Sequence, residues 1–531
     1  MASHCRKRLT GVRIGRREFV AGAISSFATL PVFAAGKYSI ATTRYGKVRG
    51  VIQNNIHVFK GIRYGADTSK RRFLPPLPPA SWSGIVDALD YGPASPQPRS
   101  NEKTSEDCLF LNVWTPGLRD NAKRPVMFYI HGGAYSNGSG SSPLYDGTRL
   151  CERGDVVVVT VNHRLNLFGY LSLGRFGISD FADSGNAGQL DLVLALQWVR
   201  DNIAEFGGDS NKVMLFGQSG GGAKIATLMA MQSASGLFHR AATMSGQQLT
   251  ASGPLNAYKR TLTFLETLKT KDVESLRTLP TEKLIEASRA TAPIIGKGSL
   301  YFGPVLDERS LTRHPFYPDA PPLSKRIPMI IGNTHDETRS LIGGSDPSAF
   351  QLKWEDLSAR LADNMRVDIE PKLVIDEYRK LYPRYSPSDV FFSATTASRS
   401  WRAAIIEAEL RAQQGAPAFS YQLDWPSPQD GGKWRAPHTL DIPLVFDNID
   451  KPGSITGTGD DAKKMANQIS DAFISFAKTG DPNHVGIPKW EPYTLPRRAT
   501  MVFNTTSKLI DDPRGDERKL FEKVPFIQQG T

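Results

Sequence analysis

The run Val213-Met214-Leu215-Phe216-Gly217-Gln218-Ser219-Gly220-Gly221-Gly222-Ala223-Lys224-Ile225 changes character twice in a short span. Its first four residues form a continuous apolar segment of the kind that makes a buried strand. From Ala223 to Met231 the residues suit a helix. Between them lies Gly217-Gln218-Ser219-Gly220-Gly221, the only G-x-S-x-G in the chain. A strand that turns straight into a helix through this pattern holds its serine on a sharp, strained turn, with the hydroxyl raised above the sheet edge. Glycines two before and two after the serine let the flanking backbones approach closely. A phosphate-binding turn is the competing reading. It calls for Lys-Ser/Thr after the glycines or for dinucleotide spacing, and neither occurs. The pattern predicts a nucleophile at Ser219.

The same type of strand recurs on either side. Pro125–Ile130 and Asp155–Val161 are continuous apolar runs rich in β-branched residues, as expected of strands buried on both faces. Ile327–Ile331 is similar, although Pro328 demotes it to a strand start or an irregular strand. Between these runs, Gly188–Phe206 reads as a helix. Leu192, Leu196, Val199, Ile203 and Phe206 recur at steps of four and three and so share one face. Gly207-Gly208 should stop that helix, with the next strand starting at about Lys212. Alternating strands and helices predict an α/β fold with a large, mostly parallel central sheet. Residues 250–325 and 345–415 are more polar and more helical, and read as insertions over the sheet rather than separate domains. Ser427–Arg435 is a Pro/Gly-rich loop.

A serine hydroxyl alone is a weak nucleophile, so a base and an acid must follow it in the chain. A stabiliser for the developing oxyanion is also needed. The turn His131-Gly132-Gly133-Ala134-Tyr135 follows the Pro125–Ile130 strand, and its small residues leave backbone N–H groups accessible for that purpose.

Three further stretches carry a resemblance. Ser105-Glu106-Asp107-Cys108-Leu109-Phe110-Leu111-Asn112-Val113, Phe206-Gly207-Gly208-Asp209 followed by Phe216-Gly217-Gln218-Ser219, and Phe59-Lys60-Gly61-Ile62-Arg63-Tyr64 resemble signatures of the type B carboxylesterases. That family includes acetylcholinesterase and the bacterial para-nitrobenzyl esterases, within the α/β-hydrolase superfamily. The likeness runs from about Gly36 to about Val524. It implies one large α/β-hydrolase domain over residues 35–531, with helical insertions forming a substrate gorge. It also implies ester hydrolysis by a Ser–Glu–His triad without a cofactor. By family position the nucleophile is Ser219, the acid is Glu337 in Gly332-Asn333-Thr334-His335-Asp336-Glu337, and the base is His438 in Pro437-His438-Thr439-Leu440-Asp441. The oxyanion hole falls on the amides of Gly133, Ala134 and Gly220. The order Ser, acid, His is the one this fold requires. Of nine histidines, only His438 and His484 follow Glu337, and His484 sits in a polar Gly-Asp-Pro-Asn-His loop.

Three positions depart from the family pattern. Gln218 stands where the animal cholinesterases and many carboxylesterases have Glu, which predicts neutral rather than choline-type ester substrates. Gly220 replaces the usual Ala. Ser95 in Gly92-Pro93-Ala94-Ser95-Pro96 replaces the cysteine that would pair with Cys108. Cys151 could substitute only within ~7 Å of Cys108, Cα to Cα, and both are read as buried thiols.

Composition narrows the remaining classes. The chain has 531 residues, 40% hydrophobic and 22% charged, which excludes wholesale disorder, and three cysteines exclude a disulfide scaffold. Of the net charge of +12, five units fall in residues 1–34. The surplus left for the rest is too dilute for a nucleic-acid surface. Residues 1–34 have the parts of an export signal: basic Arg16-Arg17-Glu18-Phe19-Val20, apolar Val20–Phe33, and small residues for cleavage after Ala34. The paired arginines resemble a twin-arginine signal, giving an expected location in the bacterial periplasm or outside the cell. The apolar run is short of the ~20 residues that span a bilayer, so no stable membrane insertion of the mature chain is expected. No H-x-x-x-H or His/Cys spacing suggests a metal. The leading function is a serine-dependent carboxylic ester hydrolase acting through an acyl-enzyme on small neutral esters. Amide or carbamate hydrolysis by the same triad, or a non-catalytic binding role of the neuroligin kind, are the alternatives.

Overall fold

The computed structural model describes residues 38–531 except 99, 295, 297, 529 and 531. The segment read as an export signal lies outside the described residues. Residues Tyr38–Thr531 form one unit built on a mixed sheet. Its strands are β1 (Tyr38–Thr43), β2 (Gly46–Gln53), β3 (Ile56–Arg63), β4 (Ile85–Asp87), β5 (Phe110–Thr115), β6 (Arg124–Ile130), β7 (Val157–Val161), β8 (Gly208–Gln218), β9 (Arg240–Met244), β10 (Met329–Thr334), β11 (Ala418–Leu423), β12 (Ala499–Phe503) and β13 (Lys508–Asp511). They lie in the order β1-β2-β3-β5-β7-β6-β8-β9-β10-β11-β12-β13, with β4 beside β2. From β7 to β12 every pairing is parallel, and the outer strands pair antiparallel except for β4, which runs parallel to β2.

The continuous apolar runs are continuous because both faces of the sheet are covered. In β6, Val126, Phe128 and Ile130 enter one core while Met127 and Tyr129 enter the other. Leu192, Leu196 and Val199 of the Ala187–Asn202 helix fill the first core. Met465, Ile469, Phe473 and Phe476 of the Asp460–Thr479 helix fill the second. The 250–325 insertion packs Phe264, Leu265 and Leu268 into a third cluster with Tyr135 and Tyr170. The 345–415 insertion forms a fourth around Leu357, Leu361, Val374, Tyr378 and Phe391.

Two boundaries on the approach to β8 shift. The α-helix ends at Asn202, and Ile203–Phe206 tightens into a 3-10 turn closed by Gly207 at φ +69°. Ile203 and Phe206 remain buried because the tighter turn keeps them facing the sheet. The strand then starts at Gly208 rather than Lys212. Gly208 pairs with Arg124, the register then shifts, and regular pairing with β6 resumes at Val213, so the polar residues Asp209–Lys212 form an irregular stretch at the start of the strand. Cys108 and Cys151 are both free and buried, in opposite cores. Burial raises both thiols, which makes them poor nucleophiles.

Candidate active site

Parallel strands in register deliver their C-terminal ends to one edge of the sheet. Ile130 of β6 lies beside Gly217 of β8, Gln218 beside Met244 of β9, and Thr334 of β10 beside Leu423 of β11. Loops leaving these five ends therefore start close together, which is where open α/β sheets place ligands.

Ser219 occupies the turn between β8 and the Gly220–Leu228 helix with φ +56° and ψ −125°. Its N–H donates to Met244 O at 2.7 Å, fixing the turn to the neighbouring strand end. The glycine requirement is tangible: a Cβ on Gly221 would lie 1.9 Å from Ile130 O, and one on Gly217 would lie 2.7 Å from the Gly221 backbone.

Glu337 and His438 meet from β10 and the loop after β11. His438 Nδ1 is 3.1 Å from Glu337 Oε2. The amide of Asp336 donates to Ala436 O at 2.8 Å, tying the acid turn to the histidine loop two residues before His438. Glu337 is fully buried. Burial alone would raise its carboxyl, but hydrogen bonds from His438, Ser400 and Asn333 outweigh that and hold it below the usual carboxylate value. Asn333 donates to Oε1 at 2.9 Å, and the Ser400 hydroxyl donates to Oε2. Asp336 turns the other way. It faces His335 at 3.0 Å, Arg339 at 3.5 Å and Arg435 at 3.8 Å. His484 is far from this chemistry in role: its Nε2 contacts Gln468 O at 3.0 Å. His131 and His163 pack edge to face at 4.8 Å, both lowered by burial.

Gln218 sits directly against the histidine. Its Nε2 is 3.1 Å from His438 Nε2 and 3.4 Å from Nδ1. A group nearly equidistant from both ring nitrogens cannot lie along either lone pair, so the amide rests beside the ring rather than capping Nε2. No hydrogen bond joins Ser219 Oγ to His438 among the described contacts. Such bonds commonly tighten only when substrate enters.

Gly133 and Ala134 line the cleft with φ +85° and +51°. No described hydrogen bond engages the N–H of Gly133, Ala134 or Gly220. The Ala134 backbone presses on Gly220, so that a Cβ there would lie 2.1 Å from Ala134 O. The third position of the glycine turn carries a side chain, and the residue after the nucleophile has given one up. Lys224 completes this arrangement from below: its Nζ donates to Ala134 O at 2.7 Å and lies 5.3 Å from the Tyr135 ring centroid. Burial lowers its ammonium to about 7.

All six residues singled out in the sequence, Ser219, Glu337, His438, Gly133, Ala134 and Gly220, line one cleft of about 430 Å³. That size suits a small ligand. Sequence reasoning missed the opposite wall. Arg366, Arg399, Ser400 and Ala403 come from the second insertion, and Phe526 and Gln528 from the C-terminal segment. The 250–325 insertion contributes Tyr301. No short motif marks these residues. Among the described residues, no helix is long and apolar enough to cross a membrane.

Comparison with known proteins places this geometry. Residues 37–520 match the profile of the Carboxylesterase family. The chain is 36% identical to a para-nitrobenzyl esterase of Bacillus subtilis (strain 168), over 91% of this chain and 99% of that protein. It is 33% identical to a phenmedipham hydrolase of Pseudarthrobacter oxydans, over 87% of this chain and 94% of that protein. A crystal structure of a Geobacillus stearothermophilus carboxylesterase superposes with a TM-score of 0.80 and 39% identity, over 91% of this chain and 99% of that one. The sheet, the cleft at its strand ends and these likenesses lead to one conclusion: the chain belongs to the carboxylesterase family and is a carboxylic ester hydrolase of α/β-hydrolase fold.

Proposed function

We propose that hydrolysis runs through a serine acyl-enzyme made by Ser219, His438 and Glu337. Ser219 Oγ attacks the ester carbonyl while His438 takes its proton, and Glu337 orients the ring and stabilises the imidazolium. The amides of Gly133, Ala134 and Gly220 receive the oxyanion, each worth roughly 3 kcal/mol in the transition state. His438 then returns the proton to the leaving alcohol, and water repeats the sequence to release the acid. The observation that carries this reading is the buried His438–Glu337 contact in the cleft that also holds Ser219. Rapid mixing with p-nitrophenyl acetate and butyrate tests it. A burst of p-nitrophenol matching the enzyme concentration is expected whenever deacylation is the slower step. Absence of any serine-dependent turnover would count against it.

The neutral amide of Gln218 favours neutral over choline-type esters. Gln218→Glu would put a carboxylate against His438. At about 3 Å and an effective dielectric near 20, Coulomb's law gives on the order of 5 kcal/mol as an upper bound. Water and side-chain adjustment reduce this, leaving an expected rise of about one to two units in the acid-limb pKa of kcat/KM. The sign follows because a base that must be neutral loses activity earlier on acidification when its charged form is stabilised. The pH–rate profile of the variant on one neutral ester measures it.

Gly220→Ala tests the fit against Ala134. A Cβ that meets backbone at 2.1 Å forces the glycine turn to move. The expected outcome is a fall in kcat of about tenfold or more, with a smaller change in KM, because oxyanion donors act in the transition state.

We also propose export before function, from the paired arginines of residues 1–34. Replacing Arg16 and Arg17 together with Lys is expected to leave the protein in the cytoplasm, as cell fractionation would measure. Unchanged export would exclude the twin-arginine route.

A further inference from the structure

The wall of the cleft that the triad does not use is rich in positive charge. Arg366 and Arg399 both line it. Burial pushes the Arg366 guanidinium down to about 9, and the field of Arg399 adds to that. Burial lowers Arg399 as well, with Glu337 pulling the other way. Arg399 has no ion pair within contact distance among the described residues, so Glu337 acts on it only at longer range. Two cations brought together in a partly dry cleft repel each other. An anion in the cleft would relieve that repulsion and offset the lost hydration of Arg399.

The local fold fixes Arg399 in this position. The segment Ala397–Trp401 is a π-helical turn, with Arg399 at φ −109° and ψ −107° interrupting the helix. Such turns recur at functional sites because they redirect side chains that a regular helix would keep in line. The next residue, Ser400, is held by its hydrogen bond to Glu337, and Trp401 lies under the Arg514 guanidinium at 4.5 Å. Arg366 is fixed through its backbone. Ile527 N–H donates to Arg366 O at 3.1 Å, and Val367 bridges Phe526. A third group points the same way independently. Gln247 lines the cleft at 7% exposure, and neither its amide oxygen nor its amide nitrogen has a hydrogen-bond partner. A buried amide left unpaired is costly unless a ligand completes it.

We infer that Arg366, Arg399 and Gln247 form a subsite for a carboxylate, so that the preferred substrate is an ester bearing an anionic group on one of its two arms. Guanidinium suits this ligand because its planar fork matches carboxylate geometry, and Gln247 supplies a neutral donor from the lining of the same cleft. The inference rests on the esterase reading and moves the expected substrate from a neutral ester to an anionic one. It also strengthens the exclusion of cationic esters.

Two matched substrate pairs test it on the wild-type enzyme. Mono-p-nitrophenyl adipate against methyl p-nitrophenyl adipate probes a carboxylate on the acyl arm. Para-carboxyphenyl butyrate against para-methoxycarbonylphenyl butyrate probes the alcohol arm. With each rate divided by its hydroxide-catalysed rate, kcat/KM is expected to favour the carboxylate by about tenfold or more in one pair. That preference should shrink with added salt. Free adipate should inhibit competitively, and more strongly than dimethyl adipate. Arg399→Gln should lower kcat/KM for the preferred carboxylate ester far more than for its capped partner, with Arg399→Lys recovering part of the difference. Equal or better turnover of the capped ester in both pairs overturns the subsite while leaving the esterase reading intact. Failure to hydrolyse any of the four esters would instead remove the reading beneath it. The wild-type comparison and the adipate inhibition decide the matter even if Arg399 variants do not fold.

Discussion

Ser219→Ala and His438→Ala are each expected to lower kcat on a simple aryl ester by about 10⁴- to 10⁶-fold, and the double variant should be scarcely worse than either. The reason is that the two side chains act on one event. Without the hydroxyl there is nothing for the imidazole to deprotonate, and without the imidazole the hydroxyl stays protonated and inert. The glycine turn and the binding cleft survive both changes, so a residual rate above the uncatalysed one should persist. Purified variants must be checked for folding, because Ser219 is locked by its N–H to Met244 O and its positive φ. Alanine tolerates the first constraint, since the bond is made by the backbone. Additive losses, or near-wild-type kcat in either single variant, would place the chemistry elsewhere.

The two neighbouring carboxylates give the second large effect. Glu337→Gln is expected to cost about 10³- to 10⁴-fold in kcat, against no more than about tenfold for Asp336→Asn. A glutamine can accept from His438 Nδ1 or present its amide to it, but it no longer supplies charge to stabilise an imidazolium. Ser400 and Asn333 already donate to the two Glu337 oxygens. Whichever way the new amide is turned, one of these donors faces an N–H₂. The Ser400 hydroxyl can turn to accept whereas the Asn333 N–H₂ can only donate, so the new N–H₂ settles toward Ser400 and His438 Nδ1, which favours the wrong histidine tautomer. Asp336 serves a different purpose, holding His335, Arg339 and Arg435 together. Burial would raise its carboxyl, but these partners outweigh that and lower it. A lowered folded-state value means the stabilisation is complete above the ordinary carboxylate range and is lost as pH falls through the depressed value. Asp336→Asn should therefore lower stability near neutrality, with the gap from wild type closing at acid pH. Denaturant melts at both pH values, read beside kcat, separate the two roles, and the reverse ranking in kcat would transfer the acid to Asp336.

What could be read without coordinates was whatever is local in sequence. The strand–turn–helix around Ser219 is written in consecutive residues, as is the helical face Leu192–Leu196–Val199. The glycine turn after β6 is equally legible, because Gly133 has few alternatives at its backbone angle. The choice between Asp336 and Glu337 was different. Residue types left both possible, family position chose Glu337, and backbone direction after β10 explains why only one faces His438. The far wall of the cleft had no signature at all. Arg366, Arg399 and Phe526 lie far apart in the chain, and a π-helical turn such as Ala397–Trp401 has no hydrophobic period to betray it. The sequence marked Gly220 as a departure, but that Ala134 packs against it was visible only once their backbones were seen in contact.

The acyl-enzyme mechanism stands or falls on which atom becomes covalently modified. A p-nitrophenyl phosphonate ester should release one equivalent of p-nitrophenol per enzyme, abolish ester turnover, and leave a phosphonyl adduct that peptide mass spectrometry assigns to Ser219. Full inactivation with the adduct on another residue, or undiminished turnover after Ser219 is fully modified, would contradict it.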